Sequence, residues 1–262
     1  MPDTTEPIES VPVKLMRRLG YQPDPWQIEV LEGGHKRLLL NCCRQAGKST
    51  VVAMLSLVEA LLWQNAVILL LSRSHRQSME LFRIVSDLYR RIGEPDKKSL
   101  TNQELQIKHN SRIISLPCQG DTIRGFSRVH MLVIDEAARV PDDLCRSVRP
   151  MLAVSGGRLI CLSTPYGKRG FFYDAWAKGG NDWARIEVPA DKIARIKPEF
   201  LAEERRAMGL SYYRQEYCCS FESVEGLIYP DFGRCVVQGL EAPAGKRVGG
   251  IDFGFRNPFA AV

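Results

Sequence analysis

Asn41-Cys42-Cys43-Arg44-Gln45-Ala46-Gly47-Lys48-Ser49-Thr50 is the stretch on which the reading of this chain turns. An apolar run, Leu38-Leu39-Leu40, leads into it, and the apolar residues of Val51 to Trp63 behind it fit a buried helix. Strand, tight turn ending in Gly-Lys-Ser, then helix is the context a phosphate-binding loop requires. Backbone N–H groups of the turn (Gln45, Ala46, Gly47) and of the helix start (Lys48, Ser49, Thr50) would face phosphates. The Lys48 ammonium would reach the β and γ oxygens, and the Ser49 hydroxyl would ligate Mg²⁺. The leading glycine of the usual pattern falls at Cys42, so the match is partial.

Composition limits the alternatives. The 262-residue chain is 45% hydrophobic and 25% charged, values of an ordinary globular protein long enough for a sizeable core. No apolar run approaches the length of a bilayer span; Leu61 to Leu71 comes nearest and is interrupted by Gln64 and Asn65. Met1 to Ser10 is acidic and polar, unlike a secretory signal, so a cytoplasmic protein is expected, with no membrane partner. The eight cysteines, at 42, 43, 118, 145, 161, 218, 219 and 235, include no C-x-x-C and are read as reduced and mostly buried. A net charge of +6 is compatible with a polyanionic partner without indicating one.

Upstream of the loop, Val13 to Leu19 fits a short helix ended by Gly20, and Asp24 is placed to cap a second helix starting at Pro25. Gln27 in that helix is a candidate adenine contact, since an amide offers both a donor and an acceptor; a surface glutamine is the plain alternative. Downstream, Ala66 to Ser72 reads as a parallel strand buried on both faces, Ser74 to Ile92 as a helix, residues 93–98 as a loop, and Leu105–Lys108 with Arg112–Leu116 as a hairpin. Val129 to Ile134 then runs as an apolar strand into Asp135-Glu136. Asp135 would hold Mg²⁺, and Glu136 would orient and activate the attacking water. Pro141 to Leu152 fits a helix, and Arg158 to Leu162 a strand ending in Ser163-Thr164-Pro165, whose hydroxyls either sense the γ-phosphate or cap a helix. Helices are expected from Pro198 to Met208 and from Ser211 to Tyr217, an irregular linker over Phe221 to Gly245, and a new strand carrying Asp252 near the end. The expected fold is α/β, a mostly parallel sheet flanked by helices with nucleotide at the carboxyl ends of the strands.

With these residues placed, the chain resembles the large terminase subunit of tailed bacteriophages. Residues 43–50 look like that family's phosphate loop, in which Arg-Gln precedes Gly-Lys and the leading glycine is often missing. Val133 to Ala138 looks like its acidic motif. Leu162 to Pro165 followed by Gly167 to Tyr173 looks like its coupling motif, and Gly250 to Gly254 like the opening strand of its RNase H-like nuclease domain. The resemblance implies a RecA/ASCE-like ATPase that uses ATP and Mg²⁺ to move double-stranded DNA into a procapsid. It further implies a homo-oligomeric ring together with a small terminase subunit and a portal protein. Segments expected on that basis are an N-terminal segment at 1–20, an ATPase domain at 21–195, a helical subdomain and linker at 196–246, and the start of a nuclease domain at 247–262.

The resemblance also implies that Arg44 contacts the γ-phosphate and that Ser163 and Thr164 couple its loss to motion. Arg124 would act as an arginine finger on a neighbouring subunit, with Arg128 and Arg139 competing for the part. Lys168 and Arg169 are candidates for DNA contact, which should be through phosphates and independent of sequence. Asp252 is the one nuclease carboxylate present, so the two-metal site is incomplete and no nuclease activity is expected. Two other readings stand beside this one: a superfamily 2 helicase, which would need a second motor domain, and a catalytically silent module that binds DNA or sister subunits.

Overall fold

A computed structural model of the chain describes residues 10–118, 123, 125–222 and, for the backbone alone, 251–252 and 260–261. The chain divides into two units, Met1–Glu225 and Gly226–Val262. In the second, two short strands, Ile251–Asp252 and Ala260–Ala261, pair antiparallel, and Asp252 lies in the first of them. Most of the linker expected over Phe221 to Gly245 lies outside the described residues.

The first unit is built on one sheet. Its strands are β1 (Arg37–Cys42), β2 (Val67–Ser72), β3 (Lys97–Leu100), β4 (Glu104–Ile107), β5 (Arg112–Pro117), β6 (Met131–Asp135), β7 (Arg158–Ser163) and β8 (Ala184–Val188), in the spatial order β3-β4-β5-β2-β6-β7-β1-β8. From β5 to β8 every neighbouring pair is parallel, and β3-β4-β5 continue the sheet as an antiparallel meander. The apolar runs alternate between two faces because side chains in a strand point up and down in turn. Leu38, Leu40, Ile68, Leu70, Met131, Val133, Ile160 and Leu162 pack on one side, with α1 (Val11–Arg18), α2 (Pro25–Glu32), α3 (Lys48–Leu62) and α4 (His75–Arg91). Leu39, Leu69, Leu71, Leu132, Ile134, Leu159 and Cys161 pack on the other, with α5 (Asp142–Val148) and α6 (Gly170–Lys178). The chain then closes with α7 (Pro198–Ala207) and α8 (Leu210–Tyr217).

Local chemistry sets the ends of these elements. Ser74 caps α4, its hydroxyl accepting from the Gln77 N–H at 3.3 Å. The Gln27 side-chain carbonyl reaches back to the Asp24 N–H at 2.9 Å and fixes the start of α2. Gly47 sits at φ 91°, a left-handed conformation that a side chain would resist, and so allows α3 to begin at Lys48, three residues earlier than the apolar pattern placed it.

Two further expectations need correction, and two elements were not read from the sequence. Residues 97–98, read as loop, belong to β3, where polar Lys97 and Lys98 sit on an exposed edge strand that leaves no apolar alternation to read. The helix from Pro141 ends at Val148, and Arg149–Leu152 tightens into a 3-10 turn around Pro150. Helix α6 starts at Gly170, within the segment read only as a motif. Edge strand β8, not foreseen, lies parallel to β1 in register Cys42 with Val188.

Leu40 is fully buried on β1, between β7 and β8. Leu40→Ala should lower unfolding free energy by about 2–5 kcal/mol, through lost transfer energy and a cavity that packed strands cannot collapse. Urea unfolding checks this, and a loss below about 1 kcal/mol would mean that the sheet closes around the missing methyls.

Candidate functional site

Strand β7 lies between β1 and β6, so the loop after β1 and the acids at the end of β6 face each other across one strand. The register is Asn41 beside Ser163 and Asp135 beside Leu162, with Ser72 of β2 on the far side of Asp135. All these strand ends are carboxyl ends, where ligands of open parallel sheets bind.

The loop is held from outside. The Cys43 N–H donates to the Val188 carbonyl at 2.9 Å and the Arg44 N–H to the Glu216 carbonyl at 3.1 Å, anchoring it to β8 and α8. Cys42 and Cys43 are fully buried, and burial pushes their thiols up to about 12 and about 11, so both act as small neutral packing groups. This gives Cys42, at the place of the missing glycine, a packing role at the end of β1.

Lys48 and Glu136 meet: Nζ is 3.7 Å from Oε1. Glu136 is in the left-handed region at φ 51°, a conformation costing on the order of 1–2 kcal/mol for a residue with a Cβ. The turn is stitched in place. The Glu136 N–H donates to the Asp135 carboxylate at 2.9 Å, and the Ala138 N–H donates to the Ser163 hydroxyl at 3.2 Å. Ser163 in turn donates to the Thr164 carbonyl at 2.7 Å. The hydroxyl at the tip of β7 therefore fixes the turn that carries Glu136.

Three residues that sequence reasoning missed complete the centre. Glu216, 2% exposed, forms an ion pair with Arg44. Its other oxygen lies 3.8 Å from Arg139, which also approaches Glu136 at 4.0 Å. The Tyr166 ring takes the Arg139 guanidinium at 4.0 Å and that of Arg169 at 4.8 Å from its centroid. Arg195, from the segment after β8, pairs with Asp24 at 2.7 Å and donates to the Ala46 carbonyl. Tyr166 lies between the two halves of the coupling motif without having been singled out, whereas Glu216 and Arg195 belong to no recognisable motif and lie far along the chain from the loop.

The expected residues of the loop and its surroundings can now be placed. Gln45 is exposed and left-handed at φ 57°, and Ala46 is buried. Lys48, Ser49 and Thr50 form the first turn of α3 and are half-buried. Gln27 is 5% exposed, with its Nε2 3.0 Å from where a Cβ on Gly47 would sit; its carbonyl already serves Asp24, so its free chemistry is donation. Arg44 is engaged by Glu216 and Arg139 by its own chain's Glu136 and Glu216, which sets Arg139 in the site's own network. Arg124 and Cys235 lie outside the described residues. Beside the loop, Arg44, Gln45, Arg195, Ile196, Lys197, Phe200 and Tyr217 line a pocket of about 350 Å³, with apolar walls and a basic rim.

A divalent ion fits the residues present. Asp135 is 8% exposed; burial and then neighbouring Glu136 push its carboxyl up to about 6, against the pull of Lys48 and the Glu136 N–H. Beside it the Ser72 hydroxyl is fully buried without a hydrogen-bond partner among the described residues. Among the described residues no group of three or more His, Cys, Asp or Glu is arranged to hold a metal. The Asp135 carboxylate and the Ser49 hydroxyl at the start of α3 would suit Mg²⁺, which takes its other ligands from phosphates and water, and Ser72 offers a further oxygen beside Asp135.

Residues 39–233 match the family described as terminase large subunit, T4likevirus-type, N-terminal. The chain belongs to this family. The large terminase subunit of Escherichia phage T5 is 25% identical over 270 residues, spanning 95% of this chain and 61% of that protein. That of Thermus phage G20c is 23% identical, over 71% of this chain and 42% of that protein. The chain thus spans about three-fifths or less of these relatives' length. Among solved structures, the large terminase ATPase domain of Thermus phage P74-26 superposes with a TM-score of 0.70 at 20% identity, covering 81% of this chain and 98% of that one. A large terminase of a thermophilic bacteriophage, solved with ADP, superposes with a TM-score of 0.61 at 16% identity, covering 91% of this chain and 63% of that one. These likenesses establish the mostly parallel α/β fold of a terminase ATPase domain. No described helix is long and apolar enough to cross a membrane.

The raised Asp135 pKa carries a pH signature. Native Asp135 keeps a proton that the unfolded chain has already released, so its own contribution to stability falls as pH rises from about 4 to about 6 and is level above that. Asp135→Asn should flatten the fall in melting temperature across that window; equal slopes would show that Asp135 ionises as in solution.

Proposed function

We propose that this chain is the ATP-hydrolysing part of a DNA-packaging motor. The carrying observation is the meeting of Lys48 with Glu136 across β7, beside the buried Asp135. Family membership supports the reading, as does the relative solved in complex with ADP and with ATP-γ-S. In this reading the loop N–H groups and Lys48 hold the β- and γ-phosphates. Ser49 and Asp135 hold Mg²⁺, which supplies charge neutralisation at the phosphates when bound. Glu136 orients the attacking water and takes its proton. For that, its carboxylate must let go of Lys48, which the incoming γ-phosphate would recruit. Arg44 likewise has to loosen its pair with Glu216 to touch the γ-phosphate. The apolar-walled pocket next to Gln45 has the place and lining for the nucleoside, and Gln27, beside Gly47, keeps its amide N–H group available to donate.

Coupling to DNA would pass through Ser163 and Thr164. The Ser163 bond to the Glu136 turn, together with the Tyr166–Arg139 stack, links the catalytic acid to the segment carrying Lys168 and Arg169. The polymer moved would be double-stranded DNA, gripped by its phosphates. Arg124 is kept as the candidate finger in trans, with small terminase subunit, portal and sister subunits as partners. The domain division at 21–195 and 196–246 belongs to the same proposal, as does the assignment of 247–262 and Asp252 to a nuclease domain.

Purified chain should hydrolyse ATP in the presence of Mg²⁺, with turnover raised by double-stranded DNA of any sequence and lost with EDTA. Nucleotide binding with turnover indifferent to DNA would leave an ATPase without the motor.

A further inference from the structure

Arg195 bridges parts of the site that lie far apart in sequence. Its Nη1 is 2.7 Å from the Asp24 carboxylate, at the start of the helix that carries Gln27, and its Nη2 donates to the carbonyl of Ala46. Gly47, next in the chain, is tightly enclosed: a Cβ there would lie 3.0 Å from Gln27 Nε2 and 3.2 Å from Arg195 Nη2. The same side chain rims the pocket formed with Ile196, Lys197, Phe200 and Tyr217.

The Ala46 carbonyl shares its peptide plane with the Gly47 N–H. In a trans peptide these two groups point in opposite directions, so a donor that fixes the carbonyl also fixes the N–H on the opposite side. Gly47, at φ 91°, has the freedom to rotate that plane. Something outside the glycine must therefore hold it. We propose that Arg195 is a positioning residue for nucleotide binding: anchored by Asp24, it sets the Ala46–Gly47 peptide so that the Gly47 N–H is presented to phosphate.

Arginine suits this task and lysine does not. A planar guanidinium serves a carboxylate and a carbonyl at once in fixed geometry, whereas an ammonium on a flexible stem offers a single point charge. The Arg195 side chain is 46% exposed, so its ion pair contributes little to folding, and its effect should be on the loop. The inference rests on the ATP-binding reading of the loop.

The test is titration with a fluorescent ADP analogue and steady-state ATPase kinetics, on the full chain with Mg²⁺. Arg195→Ala should weaken analogue binding by about tenfold, the scale of one charge-assisted hydrogen bond, and raise KM by more than it lowers kcat. Its melting temperature without nucleotide should match the wild type. Arg195→Lys should recover only part of the affinity. Asp24→Ala should weaken binding in the same direction and add little when combined with Arg195→Ala, because both act through one tether. Unchanged affinity in Arg195→Ala, or a loss of affinity matched by a loss of ligand-free stability, would overturn the proposal. A fall in kcat with KM unchanged would overturn it also, in favour of a direct role in hydrolysis. If the wild type binds no analogue, the ATP reading fails and this inference with it. Binding by wild type and by Arg195→Ala but not by Lys48→Ala would fail the inference alone.

Discussion

One strand sets the geometry of this protein. With β7 between β1 and β6, the phosphate loop and the acidic pair stand one strand apart, close enough for Lys48 and Glu136 to form an ion pair. Ladder hydrogen bonding fixes that spacing at two inter-strand steps of about 4.8 Å each. The tip of the inserted strand then offers Ser163 to the turn carrying Glu136, which ties the acid's strained backbone to the strand that separates it from the loop.

Charge balance is the second constraint. The centre gathers Lys48, Arg44, Arg139 and Arg195 around Glu136, Glu216, Asp135 and Asp24, and each cation is paired with a carboxylate. These pairs balance the charges of a site whose cations face the phosphate loop. A triphosphate with its metal would compete for Lys48 and Arg44. The released carboxylates, Glu136 and Glu216, belong to different parts of the unit, one on the catalytic turn and the other on α8.

How much of this could be read in the sequence depends on the range of the cause. The loop, the acid pair and the hydroxyls after β7 were legible because each needs a strand end followed by particular side chains, a local pattern. The buried strands were legible because sides alternate over two covered faces. Strand β8 was not: Ala184-Arg185-Ile186-Glu187-Val188 alternates as a half-exposed edge, a weak signal after a helix that the sequence reading had not placed. Glu216 and Arg195 were illegible for a different reason. A buried glutamate within Tyr213-Arg214-Gln215-Glu216-Tyr217 looks like any helix acid until topology brings α8 against the loop, and Arg195 acquires its partners only because β8 lies beside β1.

The most direct test is a paired measurement on Glu136→Gln, nucleotide affinity and single-turnover hydrolysis, with Lys48→Ala as the reference. If the acid opposite the loop is the base, Glu136→Gln keeps or gains affinity, since Lys48 is freed from its ion pair, and hydrolysis falls by on the order of 10²-fold or more. Lys48→Ala should lose the nucleotide altogether. Hydrolysis by Glu136→Gln at the wild-type rate would contradict the account, because the contact across β7 would then be a structural ion pair and the water would have to be activated elsewhere.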